Sequence, residues 1–109
     1  MRLTSLKSCV VELEKLRDYL LDPSHVDGRH KARYFSAFGY SQSNAVAFAD
    51  ALANHARDND VVRRSASRWG HKYAIECHVE TPDRRNPCIV TIWIDIGNGQ
   101  ARLVTSYPK

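Results

Sequence analysis

The segment at residues 25–31 carries the side chains best suited to chemistry. It brings the imidazoles of His25 and His30 close in sequence to the cations Arg29 and Lys31. Histidine exchanges protons near neutral pH, and Arg and Lys hold the oxygens that gain charge in phosphoryl transfer. A helix that begins within this segment adds backbone amide donors. The segment is therefore a candidate phosphate site, with a solvated charged turn as the alternative.

Hydroxyl and aromatic side chains recur with strand spacing near the C-terminus. Thr91 and Trp93 share one face of a predicted strand, and Thr105 and Tyr107 share a face of the next. On a sheet face that helices do not cover, such hydroxyls bind phosphates and such rings stack on bases. Leu103 falls on the same face by alternation, so we expect a bulge near the end of the last strand. The alternative is ordinary strand composition, because Thr, Trp and Tyr all favour strands.

A basic run between these two regions is typical of a contact with a nucleic-acid backbone. No acidic residue occurs from residue 61 to residue 72, and Trp69 lies among the cations. A solvated loop would have the same composition. The basic residues of the run are Arg63, Arg64, Arg68, His71 and Lys72.

The cysteine and histidine pattern supports neither a metal site nor a disulfide framework. Cys9, Cys77 and Cys88 are odd in number and lack C-x-x-C spacing. Cys77 and Cys88 fall on apolar strand faces and His78 on the opposite one, so we expect buried free thiols. His55 is expected to be a surface or helix-end histidine without a functional role. Phosphate-loop, hydrolase and zinc-peptidase motifs are absent, and we expect no metal and no other cofactor.

Length and composition predict a single folded domain over residues 1–109. The chain is 43% hydrophobic and 26% charged, as in soluble globular proteins rather than disordered or fibrous ones. Sixteen basic and twelve acidic residues leave a net charge of +4, which favours an anionic partner such as RNA. No apolar run is long enough to cross a bilayer, and Glu12, Glu14 and Lys15 interrupt any signal-peptide core. We therefore expect a cytoplasmic protein without a membrane partner.

Three N-terminal helices are predicted from apolar residues at three- and four-residue steps. The first covers residues 5–22 and ends before Pro23, because proline lacks an amide donor. The second covers residues 29–38 and ends at Gly39. The third begins after Ser41 or Ser43 and frays near residue 58.

Alternation after the helices predicts strands at residues 72–80, 88–96 and 101–107, with a turn at Gly97-Asn98-Gly99. Residues 61–68 form either a short extra strand or a loop. Within residues 88–96, the set that includes Val90, Ile92 and Ile94 is expected to face the helices, with Thr91 and Trp93 facing away. The predicted fold class is α+β, with three N-terminal helices packed on one face of a three- or four-stranded antiparallel sheet.

Two stretches resemble an uncharacterised bacterial domain family. They are residues 19–35, YLLDPSHVDGRHKARYF, and the pair VTIWI, residues 90–94, with RLVTSYP, residues 102–108. The family pattern has YLL, His-Pro, a glycine, Lys-Ala and Phe, then a Trp-containing strand and a terminal LVTAYP. Val26 stands where that pattern has proline, and Ser106 where it has alanine. More loosely, the layout is similar to small ribonuclease toxins of the barnase, EndoU, colicin and RelE superfold.

The looser resemblance implies metal-free RNA cleavage, in which the 2′-hydroxyl attacks the adjacent phosphate and leaves a cyclic phosphate. His25 and Lys31 match the His-Pro and Lys-Ala points of the family pattern. The two resemblances together imply His25 as general base or acid, with His30 as its substitute, and Lys31 as the stabiliser of the pentacoordinate phosphate. Thr105 then binds a phosphate oxygen, and Tyr107 or Trp93 stacks on a base. The candidate catalytic residues are His25, Lys31, Thr105 and Tyr107, and the candidate RNA-binding residues are His30, Arg29, Arg68, Lys72, Thr91 and Trp93.

We therefore predict a small metal-independent endoribonuclease, a toxin that acts on cellular RNA and is held in check by an antitoxin or immunity protein. The alternative is a noncatalytic module that binds RNA or a protein through the exposed sheet face. An immunity role fits less well, because such proteins oppose a basic toxin with an acidic surface and this chain carries +4.

Overall fold

Five strands form one mixed sheet in the computed structural model, which describes residues 8–97 and 99–109. In chain order the strands are β1 (Ser8–Val10), β2 (Val61–Ser67), β3 (Gly70–His78), β4 (Cys88–Gly97) and β5 (Gln100–Pro108). They lie side by side in the order β1-β5-β4-β3-β2. β1 pairs parallel with β5, whereas the other three neighbouring pairs are antiparallel.

This sheet corrects the predicted fold class. The prediction of a three- or four-stranded antiparallel sheet behind N-terminal helices is wrong, because a strand precedes the helices and makes the sheet mixed. The predicted first helix, residues 5–22, included the residues that form this strand. Residues 5–7 of that predicted helix lie outside the described residues. Val10 and Val11 are β-branched and favour extended backbone, whereas the apolar spacing alone was also compatible with a helix. The uncertain segment near residue 61 is the edge strand β2.

The helices begin only after β1. α1 is an α-helical turn, Leu13–Lys15, that continues as a π-helical stretch, Leu16–Leu20. α2 is Arg29–Ala37, and α3 is Ala45–Asp58, which follows a 3-10 turn at Gln42–Asn44. No helix within the described residues is long and apolar enough to span a membrane.

Local residue chemistry sets the helix boundaries. After α2 the chain turns at Gly39, whose φ of +104° is readily adopted only by glycine. The Asn44 side chain accepts a hydrogen bond from the Ser41 amide at 2.7 Å, which satisfies a free donor at the start of the next helix. These features confirm the predicted end of the second helix and the predicted start of the third.

The helices bury one face of the sheet and form the hydrophobic core with it. Each large apolar side chain that is fully buried contributes about 1.5–3 kcal/mol to folding relative to an exposed one. The fully buried members include Leu16, Leu20, Phe35, Phe48 and Leu52 from the helices and Ile75, Ile89 and Trp93 from the strands.

The buried face of β4 is the reverse of the predicted one. Thr91 and Trp93 are fully buried, and Trp93 lies opposite Tyr73 within the core. Ile92 and Ile94 are only partly buried, because they occupy the alternate positions on the other face. Both faces of this strand carry large apolar side chains, so hydrophobicity alone could not select between them. The turn predicted at Gly97-Asn98-Gly99 includes Asn98, which lies outside the described residues.

Candidate functional site

Lys31 lies at the centre of a polar cluster between the helices and the last strand. Its Nζ donates to Tyr19 Oη at 2.5 Å and to Thr105 Oγ1 at 3.0 Å. The ammonium also lies 4.8 Å from the centre of the Tyr19 ring, within cation–π range. The His25 ring meets the same Tyr19 ring edge-on, with 5.0 Å between the ring centres. Tyr19, His25, Lys31 and Thr105 are named the Lys31 cluster below.

The shape of β5 makes Thr105 accessible to this lysine. β1 pairs only with Gln100–Arg102 of β5, so the later part of the strand extends beyond its short neighbour. The register between β4 and β5 shifts between Ile92 and Trp93, which is the bulge expected near the end of the last strand. Lys15 of α1 donates to the Val104 carbonyl oxygen at 2.8 Å, next to the contact of Lys31 with Thr105.

A tight turn before α2 holds His25 in one orientation. Its Nδ1 accepts hydrogen bonds from the backbone amides of Asp27 at 3.0 Å and Gly28 at 2.9 Å. This hydrogen-bond pattern assigns the proton of the neutral ring to Nε2. His25 therefore presents an N–H donor on its free side, and the nitrogen that could act as a base is already occupied.

Gly28 brings this turn close to α1. A Cβ atom built at Gly28 would lie 2.1 Å from the carbonyl oxygen of Tyr19. The backbone φ of Gly28 is −91°, so the position requires glycine for space rather than for an unusual torsion angle. The glycine thus allows the His25 turn to pack directly against the residue that carries the phenol.

The Lys31 cluster presents several free donors to a ligand. Two of the three Nζ protons are used, which leaves one. Tyr19 and Thr105 accept hydrogen bonds from the lysine through their oxygens, so each hydroxyl proton can be donated elsewhere. One ammonium and two hydroxyl groups at hydrogen-bond distance are suited to hold an anionic oxygen such as that of a phosphate.

The remaining candidate residues of the helical segment lie around this cluster. Arg29 and His30 are exposed in the first turn of α2, and Lys31 follows them. Tyr107 is partly buried on β5, opposite Val90. The structure therefore brings Lys31 and Thr105 into direct contact and places His25 beside them through Tyr19.

Thr91 and Trp93 lie elsewhere, inside the core, so the prediction that they occupy an open sheet face is wrong. Trp93 Nε1 donates to Thr91 Oγ1 at 2.9 Å, and Thr91 Oγ1 lies 3.1 Å from His55 Nδ1. His55 Nε2 lies 3.0 Å from the Cys77 carbonyl oxygen and must be the donor there. The Thr91 hydroxyl then donates to Nδ1, and every group in this chain of hydrogen bonds is satisfied.

His55 is consequently a core residue, not the surface histidine that was expected. It is 3% exposed. Burial lowers the pKa of His55 below the usual histidine value, although hydrogen bonds to the Cys77 and Ile89 backbones partly oppose this effect. His55, the partner of Thr91, lies on α3. The helical spacing of the apolar residues around His55 was the sequence signal that could have shown that its side chain faces inward.

Arg68 and Lys72 lie away from the Lys31 cluster, near the hairpin that joins β2 and β3. Arg68 is exposed, and its guanidinium carbon lies 4.7 Å from the centre of the Trp69 ring. Lys72 is partly buried at a cross-strand position opposite Ile94. Neither residue is among the described contacts of the Lys31 cluster.

Tyr19 is the residue of the cluster that the sequence prediction missed. It belongs to the YLL stretch that carried part of the family resemblance, but the sequence analysis assigned no role to its hydroxyl. Its hydroxyl partner is twelve positions away along the chain. Groups of three or more His, Cys, Asp or Glu side chains arranged to hold a metal are not found in residues 8–97 and 99–109.

Comparisons with known proteins give a family and a fold. A chain of the contact-dependent growth inhibition toxin–immunity protein complex from Klebsiella pneumoniae 342 is similar, with a TM-score of 0.75 and 17% sequence identity. The similarity covers 98% of this chain and 96% of that chain, and at this identity it shows the fold alone. A search of curated proteins finds no match. The sequence model of a protein family described as a domain of unknown function matches residues 2–109. The chain therefore belongs to the DUF6883 family.

Proposed function

We propose that this protein is a metal-independent endoribonuclease of the toxin type, with the Lys31 cluster as its active site. The observation that carries the proposal is the position of Lys31 Nζ, held between Tyr19 Oη at 2.5 Å and Thr105 Oγ1 at 3.0 Å. RNA cleavage through the 2′-hydroxyl needs a group that stabilises the charged phosphorane, and an oriented ammonium with two hydroxyl donors supplies it. The shared fold with a chain of a toxin–immunity complex supports the toxin class.

The reaction forms a bond from the 2′ oxygen to phosphorus and breaks the bond from phosphorus to the 5′ oxygen. One product ends in a 2′,3′-cyclic phosphate, and the other begins with a 5′-hydroxyl. Lys31 and Thr105 hold the phosphate oxygens as negative charge develops on them. The Nε2–H of His25 adds a donor beside Tyr19, because Nδ1 is engaged by the turn amides.

Two proton transfers accompany this displacement. We assign removal of the 2′-hydroxyl proton to His30, whose ring is exposed one residue before Lys31. Tyr19 donates a proton to the leaving 5′ oxygen, and the adjacent ammonium offsets the charge left on its phenol oxygen. Tyr107 is proposed to stack on a neighbouring base, because its register places it on the same strand as Thr105 and two residues beyond it.

The proposal is tested by incubating total bacterial RNA with the protein in EDTA and separating the products on a denaturing gel. We expect wild-type protein to cut RNA and leave cyclic phosphate ends. Lys31→Met should lower kcat by about 10²–10³-fold, the effect of removing a preorganised charge stabiliser. Arg33→Met is the matched control, because it removes an exposed cation from the same helix and should cleave like wild type.

Two results would contradict the proposal. RNA that stays intact with wild-type protein argues against an enzyme, and equal cleavage by Lys31→Met and wild type argues against this site. Intact RNA that is nevertheless bound would favour the second candidate, a noncatalytic binding module. The observation behind that candidate is the sheet face opposite the core, where Ile96 is 40% exposed.

A protein partner follows from the toxin class. We propose that an immunity protein with an acidic surface binds this chain, whose net charge is +4. The similar chain comes from a complex between a toxin and an immunity protein, which supports such a partner. Expression in bacteria should arrest growth with the wild type and not with Lys31→Met, and a partner gene should restore growth.

A further inference from the structure

A shallow groove of about 410 Å³ lies beside β5, and its lining includes none of the four residues of the Lys31 cluster. It is lined by cationic, aromatic and aliphatic side chains from α1, the β2–β3 hairpin, β4 and β5. The members used below are Lys15, Trp69, Lys72, Asp95, Arg102 and Val104. We call this feature the β5 groove.

Trp69 is the most unusual member of the β5 groove, because this large apolar residue is 71% exposed. It occupies the two-residue turn of the β2–β3 hairpin, where Ser67 pairs with Gly70. The Ser67 hydroxyl accepts a hydrogen bond from the Trp69 amide at 3.2 Å and donates to the Gly70 carbonyl at 2.8 Å. The turn thus fixes the backbone of an exposed aromatic ring, which is the arrangement of a stacking platform for a base.

The cations of the groove keep donors free for phosphates. Lys15 uses one of its three protons on the Val104 carbonyl oxygen. Arg102 forms an ion pair with Glu12 at 3.4 Å, and both side chains are about half exposed, so a phosphate can compete for the guanidinium. The one acidic side chain that lines the groove, Asp95, accepts a hydrogen bond from the Gly97 amide.

The β5 groove meets the Lys31 cluster at two consecutive residues. Lys15 contacts Val104 in the groove, and Lys31 contacts Thr105 in the cluster. Arg102 and Thr105 lie opposite Ile94 and Ile92, so with the bulge between them they are two strand steps, or about 7 Å, apart. That length is about the span of two stacked nucleotides at 3.4 Å each. A single strand bound at Thr105 can therefore continue along β5 into the groove.

We propose that the β5 groove binds the single-stranded nucleotides next to the cleaved phosphate, with one base stacked on Trp69 and the phosphates held by Lys15, Lys72 and Arg102. This inference rests on the proposed function for its direction, because the scissile phosphate is placed at Lys31. The chemistry that selects the ligand is an exposed indole combined with cations along one strand, which suits single-stranded RNA without a sequence preference.

The test uses a fluorescein-labelled 2′-O-methyl oligouridine of about 12 nucleotides, a single strand that cannot be cut through its 2′ oxygen. Trp69→Ala should weaken its binding by at least about 5-fold, and Trp69→Phe should retain most of the affinity, because a smaller aromatic ring still stacks. Lys72→Ala should lower the dependence of log affinity on log salt by about one phosphate contact. Arg57→Ala is the matched control, since it removes an exposed cation from α3, outside the groove lining.

The outcomes separate this inference from the proposed function. In steady-state cleavage, Trp69→Ala should raise KM while kcat stays near the wild-type value, whereas Lys31→Met loses kcat. Wild-type affinity of Trp69→Ala and Lys72→Ala for the oligonucleotide would overturn the groove assignment even if RNA is cut. Loss of binding in these variants, with no cleavage by any protein, would support the groove and refute the enzyme.

Discussion

Two buried hydroxyl groups on neighbouring strands should respond in opposite ways to removal. Thr91 and Ser106 are partners across β4 and β5, and both are fully buried. The Thr91 hydroxyl bridges Trp93 and His55. The Ser106 hydroxyl has no hydrogen-bond partner among the described residues. The Thr91 hydroxyl stabilises the fold through its hydrogen bonds, whereas burial of the unpaired Ser106 hydroxyl destabilises it.

The size of each effect follows from the contacts. Thr91→Val keeps the side-chain shape but leaves the Trp93 indole N–H and His55 Nδ1 unsatisfied, at about 1–3 kcal/mol each. We therefore expect a loss of about 2–6 kcal/mol, a large part of the roughly 5–15 kcal/mol that stabilises a typical domain. Ser106→Ala removes a buried polar atom without a partner and should increase stability by about 1 kcal/mol.

Urea unfolding followed by tryptophan fluorescence measures both changes, since the midpoint shifts at constant slope when only stability changes. Ser65→Ala on β2 is the control, because this exposed hydroxyl should change stability by less than about 0.5 kcal/mol. If the free energy of unfolding of Thr91→Val lay within about 0.5 kcal/mol of the wild-type value, the network would be refuted, because neither Trp93 nor His55 would have lost a stabilising hydrogen bond. A clear destabilisation by Ser106→Ala would refute the unpaired state of that hydroxyl.

Three further predictions concern the Lys31 cluster and the buried histidine. Gly28→Ala should lower both the melting temperature and RNA cleavage, because the new Cβ overlaps the Tyr19 carbonyl oxygen; wild-type values in both assays would show that the turn yields freely. Burial lowers the pKa of His55 in the folded protein, so below about pH 6.5 the unfolded chain binds a proton at this residue more readily than the folded one. The free energy of unfolding should therefore be highest above about pH 6.5 and should fall, by at most about 1.4 kcal/mol per pH unit, as the pH is lowered below that value. Urea midpoints that do not change from pH 7 down to pH 5 would contradict this sign. Lys31→Met and Thr105→Val should reduce kcat/KM non-additively, because the two side chains are in direct contact, and strictly additive losses would show that they act separately.

The sequence assigned Lys31 and Thr105 to one candidate site only through the family resemblance that joined two distant motifs, and it did not predict the hydrogen bond between them. Lys31 and Thr105 are 74 residues apart along the chain, so the spacing of residues within single helices and strands cannot predict their contact. Tyr19 was missed because its residue type and spacing do not indicate whether its hydroxyl binds another side chain. The period of a helix or strand shows which side chains share a face of that element. It does not show which polar groups of different elements form hydrogen bonds in the folded structure.

Local patterns located most elements and failed where two structures share one pattern. The stretch from Cys9 to Leu20 has apolar residues that fit a helix throughout, yet its first residues form a strand because β5 offers an edge for them. β4 was oriented wrongly because the hydrogen bonds of Thr91 and Trp93 reach His55, a residue whose position depends on the packing of α3. In both cases a tertiary partner decided between alternatives that the sequence left nearly equal.

The position of β5 links the timing of folding to the formation of the proposed site. It follows every other element in chain order, yet it supplies the pairing partner of β1 and the hydroxyl that holds Lys31. Closing such long loops carries an entropic cost that must be met before the contact forms. A chain emerging from the ribosome therefore carries its lysine long before it carries Thr105, and stays without an assembled cluster until its final strand inserts. The site that we propose can therefore form only after β5 has been synthesised and has paired with the sheet.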